Sequence, residues 1–179
     1  MPEIREIKMK ICLIGEGAVG KTSLIKRYVF DQFEREYITT LGTKITKKQV
    51  NLKHPVKDED VKVTLMIWDI MGQKGFRELL QEAYFYGAQG LMAVCDITNR
   101  ETLKELEDWI TSAFEVTGKI PIIILGNKSD LKDDAQFGLD EIKEFASKYG
   151  RSMAYLTSAK TGENVNPAFV TIGREILKR

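Results

Sequence analysis

The stretch LIGEGAVGKTSLIK, residues 13–26, places three glycines, a lysine and two hydroxyl residues between an apolar run and a helical pattern. From Gly15 to Thr22 it fits G-x-x-x-x-G-K-[ST], in which glycines let backbone N–H groups turn towards a phosphate chain. The following helix adds its positive N-terminal end, Lys21 reaches the outer phosphates, and the Thr22 hydroxyl suits a bridging magnesium ion. The stretch predicts a nucleoside triphosphate site with Mg²⁺, without distinguishing ATP from GTP. The predicted phosphate-binding residues are Gly15, Glu16, Gly17, Ala18, Val19, Gly20, Lys21, Thr22 and Ser23.

Strand-like and helical patterns alternate along the chain around this loop. Six alternating or apolar runs predict strands, at residues 7–14, 43–52, 61–69, 90–96, 120–127 and 153–158. The charged segment 53–60 predicts a hairpin loop between the second and third strands, and the other connections predict βαβ units. We expect one α/β domain over residues 1–179. Its three layers comprise a mostly parallel six-stranded sheet, with one antiparallel edge strand, and about five helices on both faces.

Composition narrows the class of protein. Lysine and arginine total 27 against 26 aspartate and glutamate residues, so no global positive field favours nucleic-acid binding. The charged N-terminus does not resemble a signal peptide, and no uncharged apolar run approaches membrane-spanning length. Cys12 and Cys95 lie in apolar runs and are expected to be buried free thiols in a reducing compartment. The lone histidine, His54, is expected to be an exposed loop residue.

The base is predicted from a second segment, Asn127-Lys128-Ser129-Asp130, which ends a predicted buried strand. The Asp130 carboxylate is suited to accept hydrogen bonds from the N1–H and 2-amino groups of guanine, a pair that adenine lacks. The Lys128 stem is suited to lie across the base, and Asn127 to tie this segment to the glycine loop. In the segment 157–160, TSAK, the Ala159 N–H is a candidate donor to guanine O6, and its neighbours Ser158 and Lys160 complete the predicted base site.

Taken together, these motifs resemble those of small GTPases of the Ras superfamily, most closely the Rab branch. The resemblance covers Lys8 to Leu177 and rests on GEGAVGKTS, FEREYITTLG, WDIMGQKGFR, YFYGAQG, CDITN, GNKSD and TSAK. It implies the Ras-like P-loop NTPase fold, bound Mg²⁺, and a switch that cycles between GTP and GDP with slow intrinsic hydrolysis. It also implies effector proteins, an exchange factor and a GTPase-activating protein as partners.

The resemblance assigns roles in two loops that sense the γ-phosphate. In the first, it implies that Phe33 packs against the guanine edge, that Tyr37 folds over the phosphates and that Thr40 completes the magnesium sphere. In the second, it implies that Asp69 holds a magnesium-bound water and that the Gly72 N–H meets the γ-phosphate. Gln73 would orient the attacking water, so Gln73, Lys21 and Gly72 are the predicted catalytic residues.

Two departures from the family pattern leave alternatives open. Ile70 and Met71 replace the threonine and alanine usual in Rab-like members, which favours a second hypothesis, a GTP-binding scaffold with little or no hydrolysis. The motifs contain no evident arginine finger, so a partner would supply that charge. A third hypothesis, an ATP-dependent kinase or ATPase, is weaker because the chain lacks a lid-like basic segment.

The expected output surface and location follow from the same resemblance. An exposed effector patch is predicted at Leu41, Ile45, Trp68, Phe76 and Tyr84, with core packing as the alternative for each. The sequence ends in ILKR, without a cysteine for prenylation, and position 2 is not a glycine for myristoylation. We therefore expect a cytoplasmic protein, peripheral to membranes if a lipidated tail exists, and membrane association stays open.

Overall fold

The computed structural model describes residues 4–33, 43–150 and 153–179. Their strands form one six-stranded sheet in the order β2-β3-β1-β4-β5-β6. The strands are β1 (Arg5–Ile14), β2 (Thr43–Lys53), β3 (Asp60–Ile70), β4 (Gly90–Asp96), β5 (Ile122–Asn127) and β6 (Ala154–Leu156). Only the pairing of β2 with β3 is antiparallel among the described strands, so the predicted sheet is confirmed.

The helices lie between the strands, as the alternation predicts. They are α1 (Lys21–Phe30), α2 (Lys74–Phe85), α3 (Arg100–Lys104), α4 (Leu106–Thr117), α5 (Leu139–Ser147) and α6 (Val165–Leu177). Glu105, between α3 and α4, keeps helical backbone angles, so these two segments act as one helical unit and the described residues contain five such units. The last helix begins at Val165, and Asn164 at the preceding position has a left-handed backbone with φ 56°.

Apolar residues fill both faces of the sheet. On β1, Met9, Ile11 and Leu13 join a cluster with α1 and α6, whereas Cys12 and Ile14 join a cluster with α4 and α5 on the opposite face. All seven residues of β4 are buried, as expected for an inner parallel strand. The sheet is therefore held from both sides, and its carboxyl edge, where the loops after β1, β3, β4, β5 and β6 meet, is a rigid platform.

The prediction that both cysteines are buried free thiols is confirmed, and the prediction that the histidine is exposed is wrong. Cys12 and Cys95 are free and buried, and burial raises the pKa of each thiol to about 12. His54 is buried rather than exposed. Its Nδ1 accepts the backbone N–H groups of Val56 and Lys57 at 3.1 and 3.0 Å, so the imidazole closes the hairpin loop from inside. Among the described helices, none is both long and apolar enough to cross a bilayer.

Candidate functional site

The glycine loop joins β1 to α1 through backbone angles that few other residues adopt. Gly15 has φ 142°, and a Cβ there would lie 2.3 Å from the carbonyl oxygen of Val94. Gly20 has φ 103°, and a Cβ there would lie 2.2 Å from Nδ2 of Asn127. Both positions therefore require glycine, for conformation and for space. The loop passes close to β4 and to the end of β5.

Lys21 lies at the centre of this loop, because the first residue of α1 turns its side chain back towards the chain that precedes it. Its Nζ donates to the carbonyl oxygens of Gly15 and Glu16, at 2.8 Å each. Burial lowers the pKa of Lys21 to about 8, while the carboxylates of Asp69 and Glu16 oppose that shift. The first turn of α1 contains no acidic residue. The loop thus surrounds a cation at a helix N-terminus, an arrangement that attracts anions.

Thr22 and Asp69 form the oxygen-rich part of the site. Asp69, near the end of β3, is 2% exposed, and its Oδ2 accepts the Thr22 hydroxyl at 2.5 Å. Hydroxyl and carboxylate oxygens are ligands that Mg²⁺ prefers, usually together with waters and substrate phosphates, so these residues fit a magnesium ion. The described residues contain no cluster of three or more histidine, cysteine or acidic side chains suited to a metal. Thr40, the other predicted magnesium ligand, lies outside the described residues, as does Tyr37.

The segment after β3 lies against the glycine loop. A Cβ on Gly72 would lie 2.3 Å from the Gly17 nitrogen, so the two backbones are in direct contact. Gln73 is exposed at the residue before α2. Ile70 and Met71 are buried, with Met71 2% exposed. The two residues that depart from the family pattern therefore anchor this segment in the protein.

The predicted base loop is joined to the glycine loop by Asn127. Its Nδ2 donates to the carbonyl oxygen of Val19 at 2.9 Å, and its Oδ1 accepts the Thr157 hydroxyl at 3.1 Å. One buried amide therefore links the glycine loop, the end of β5 and the segment after β6. This is the role that the sequence predicts for Asn127, extended to Thr157.

Asp130 and Lys128 each have a partner that orients them. The Ser158 hydroxyl donates to Oδ1 of Asp130 at 2.7 Å, which brings the NKSD and TSAK segments together. Lys128 adopts φ 67°, and its Nζ lies 2.8 Å from Oδ2 of Asp96 at the end of β4. A carboxylate has lone pairs for several donors, so Asp130 keeps acceptor capacity for a ligand.

The backbone of the segment from Thr157 to Lys160 is held in place by hydrogen bonds from Arg27. Nε of Arg27, on α1, donates to the Ala159 carbonyl oxygen, and the guanidinium also donates to the Lys160 carbonyl oxygen, both at 2.7 Å. The Ser129 hydroxyl donates to Glu163. With these carbonyls turned towards Arg27, the loop has a defined backbone orientation. Ala159 is buried and Lys160 is exposed.

Several contributors were not found from the sequence. Asp96 lies within the CDITN motif, which contributes to the resemblance but did not predict a partner for Lys128. Arg27, Glu163 and Trp109 carry no local signal, because their contacts join residues far apart in the chain: Trp109 lies 93 positions from Glu16, to which it donates at 2.9 Å. Phe33 is placed just after α1 and is 37% exposed.

The predicted effector patch is only partly exposed. Ile45 is 45% exposed, and Trp68 is half-buried with Nζ of Lys10 3.6 Å from its ring centroid. Tyr84, near the end of α2, is buried in the core, so its assignment to an exposed patch is wrong and the alternative of core packing holds for it. Leu41 lies outside the described residues, and the Phe76 side chain is not described.

Comparison with known proteins covers nearly the whole chain. A model of the Ras family matches residues 10–178. Human Ras-related protein Rab-8B is 34% identical over an alignment of 180 positions, which covers 100% of this chain and 83% of that protein. Ras-related protein Rab-2B of Dictyostelium discoideum is 35% identical over 171 residues, with 95% and 81% covered, and bovine Rab-4A is 36% identical over 180 residues, with 100% and 79% covered. The matched region includes every element that positions the candidate residues.

Proposed function

Because this chain belongs to the Ras family and is a Rab-like small GTPase, we propose that it is a molecular switch that binds GTP and GDP with Mg²⁺ and hydrolyses GTP slowly. The observation that supports this most directly is the link between the two halves of the site. Asn127 connects the glycine loop to the segment that carries Asp130, so the loop proposed to bind phosphates and the carboxylate proposed to select guanine belong to one braced unit.

Base selection rests on Asp130. Its carboxylate, oriented by Ser158, would accept the N1–H and 2-amino groups of guanine. Adenine offers no such donor pair, so ATP would leave a partly buried charge without compensation, which costs several kcal/mol. Lys128 would cover the base with its aliphatic stem, and the Ala159 N–H would meet guanine O6. Ser158 and Lys160 complete this half of the site, with Phe33 at the guanine edge.

At the phosphate end, residues 15–23 would bind the phosphates, and Lys21 would exchange its bonds to loop carbonyls for bonds to phosphate oxygens. Thr22 and Thr40, with Asp69 through a water, would hold magnesium, which supplies positive charge beside the outer phosphates when bound. Tyr37 would close over the phosphates. Gly72 would donate its N–H towards the γ-phosphate, and Gln73 would orient the attacking water.

Slow hydrolysis of GTP is expected because few cations lie at the phosphate end of the site. The motifs place Lys21 at the outer phosphates and no arginine as a finger in cis, so a GTPase-activating protein would supply the missing charge. Loss of the γ-phosphate would release segments 36–42 and 70–80, and effector proteins would read that change. An exchange factor would restart the cycle. We expect a cytoplasmic location without nucleic-acid binding, and association with a membrane only through lipid modification.

A second candidate function is a GTP-binding scaffold with little or no hydrolysis. It is favoured by the burial of Ile70 and Met71 beside Gly72, since a segment anchored by two buried apolar side chains has less freedom to change with the nucleotide. The two candidates share the binding site and differ only in the fate of the γ-phosphate.

The test separates binding from hydrolysis. Purified protein is analysed for bound nucleotide, labelled GTP is competed with ATP, and phosphate release is followed in a single turnover. We expect bound guanine nucleotide, no competition by ATP, and release that is slow alone and faster in a cell extract containing activating proteins. Preference for adenine nucleotides would refute the proposal, fast release by the isolated chain would refute slow turnover, and no release under any condition would select the scaffold.

A further inference from the structure

The glycine loop is attached to α4 by a contact that none of the predicted roles uses. The indole Nε1–H of Trp109 donates to Oε1 of Glu16 at 2.9 Å. Trp109 is fully buried in α4, whereas Glu16 is only partly buried at the second position of the loop. A buried ring, locked by packing, therefore holds a carboxylate that belongs to the loop around the phosphate site.

The peptide of Glu16 meets two other parts of the site. Its carbonyl oxygen accepts Nζ of Lys21 at 2.8 Å. Its carbonyl carbon would be 2.5 Å from a Cβ on Gly72, so the segment after β3 lies directly against it. Any shift of this peptide would therefore move the Lys21 ammonium and the surface on which Gly72 rests.

The helix α4, which carries Trp109, is also linked to the segment after β3. α4 packs against α2, which follows Gln73, and Nε2 of Gln81 donates to Oε2 of Glu115 at 3.2 Å across that contact. The glycine loop thus contacts α4 through the Glu16–Trp109 bond, and α4 contacts α2. Gly72, two residues before α2, in turn contacts the glycine loop.

We propose that Glu16 is a positioning residue, whose hydrogen bond from Trp109 fixes the peptide that holds Lys21 and faces Gly72, and that this contact slows the release of guanine nucleotide. The inference rests on the proposed function and adds to it a determinant of nucleotide retention outside the phosphate and base contacts. A bond between a neutral donor and a carboxylate is stronger than a neutral pair, and its geometry is set by a ring that cannot move freely.

The experiment measures the dissociation of fluorescent GDP, displaced by excess unlabelled GDP. It compares the wild type with four test variants and one control variant. Glu16→Ala removes the acceptor and Trp109→Phe removes the donor, and each is expected to speed dissociation about fivefold, the equivalent of about 1 kcal/mol. The double variant is expected to be no faster than the faster single variant. Glu16→Gln, which retains a carbonyl acceptor without the charge, is expected to speed dissociation less than Glu16→Ala. Glu107→Ala, which removes an exposed carboxylate from the same helix, is the matched control.

A second readout does not depend on nucleotide release. In a Trp68→Phe background Trp109 is the only tryptophan, so its emission reports the indole environment. Glu16→Ala is expected to shift that emission, and Glu107→Ala is not. Because Glu16 is only partly buried, its alanine variant is expected to fold even if Trp109→Phe does not, and thermal unfolding of each variant checks this.

The outcomes distinguish this inference from the function on which it rests. Unchanged dissociation in a folded Glu16→Ala variant, or single effects that multiply in the double variant, would overturn the positioning role while leaving guanine-nucleotide binding intact. A wild-type chain that binds no guanine nucleotide would overturn both proposals at once.

Discussion

At the base end of the candidate site, side chains from different loops bind one another, whereas at the phosphate end Lys21 binds carbonyls of its own loop and Thr22 binds Asp69 near the end of β3. Asn127, Ser158 and Asp130 hold three loops together through hydrogen bonds between residues about 30 to 110 positions apart. Lys21 donates to two carbonyls of its own loop, and Thr22 donates to Asp69. The base end is thus built by folding alone, while the phosphate end holds bonds that a ligand must replace.

This difference between the base end and the phosphate end indicates which end determines nucleotide selectivity and which determines nucleotide affinity. A braced carboxylate discriminates strongly, because the wrong base leaves its charge without a partner. Exchange of an internal hydrogen bond for one to a phosphate contributes little by itself, so affinity at the other end depends on the added charges of phosphate and magnesium. We therefore expect the largest changes in nucleotide choice from the base end, and changes in magnesium dependence from the phosphate end.

The largest expected effect is that of removing the Asp130 carboxylate. Two hydrogen bonds to a charged acceptor are worth about 3–6 kcal/mol, so Asp130→Ala is expected to weaken GTP binding by roughly 10²- to 10⁴-fold. Asp130→Asn replaces one acceptor by a donor and is expected to shift preference towards xanthine nucleotides, whose base presents an oxygen at position 2. Equilibrium titration with labelled GTP and XTP measures both, and Asp133→Asn, an exposed neighbour, is the control. If Asp130→Ala retains the preference for guanine, nucleotide choice does not depend on the base end, and the proposed difference between the two ends is wrong.

The next effect concerns Thr22 at the phosphate end. Thr22→Ala removes a hydroxyl predicted to ligate magnesium, and the loss of one such ligand is expected to weaken GTP binding by about 10- to 100-fold in the presence of Mg²⁺. With Mg²⁺ chelated, the variant and the wild type are expected to converge. Thr22→Ser retains the hydroxyl and is expected to restore most of the affinity. An alanine variant that stays as dependent on magnesium as the wild type would show that Thr22 contributes through packing instead.

Substitution of Asn127 tests whether its two hydrogen bonds hold the base end and the phosphate end of the site together. Asn127→Ala leaves the buried Val19 carbonyl and Thr157 hydroxyl without this partner, at a cost of about 2–3 kcal/mol. At fixed nucleotide concentration, the melting temperature is expected to fall by about 4–12 °C. Nucleotide affinity is expected to fall by about tenfold, because both loops lose their alignment together. Thr157→Val removes one of the two bonds and is expected to produce about half of the loss in stability. A normal melting temperature for Asn127→Ala would contradict the brace.

Local motifs predict the site best where one short segment contains the whole chemical requirement. The glycines, lysine and threonine of residues 15–22, and the carboxylate at Asp130, could be predicted because their proposed roles depend on neighbours in sequence. The six strands and the antiparallel hairpin followed from hydrophobic patterns and the charged connection at residues 53–60, whereas the order of the strands in the sheet was not predicted. Asp96, Arg27 and Trp109 were missed because each acts on a residue that the fold, and not the sequence, brings near.

The two wrong predictions have a related cause. His54 lies in a charged loop and Tyr84 near the end of a helix with mixed polarity, so local composition favours exposure for both. In the fold, the loop from 54 to 59 wraps around the imidazole, and the end of α2 turns Tyr84 into the core while Tyr86 is 76% exposed. Burial of a single side chain depends on which face meets the sheet, and short segments do not determine that.

The smallest expected effect belongs to the ion pair that orients Lys128. The side chain of Lys128 is 33% exposed and that of Asp96 10%, so water screens the pair and its contribution stays at about 1 kcal/mol or less. Asp96→Asn keeps an oxygen for the Thr98 N–H and hydroxyl but removes the charge, and is expected to speed GDP dissociation about two- to fivefold. The difference from the wild type is expected to shrink at high salt, because the wild-type pair is itself screened. If Asp96 acts through Lys128, the double variant with Lys128→Met dissociates no faster than Lys128→Met alone. Independent, multiplying effects would instead assign Asp96 to the stability of the loop after β4, and the base end would then be braced without it.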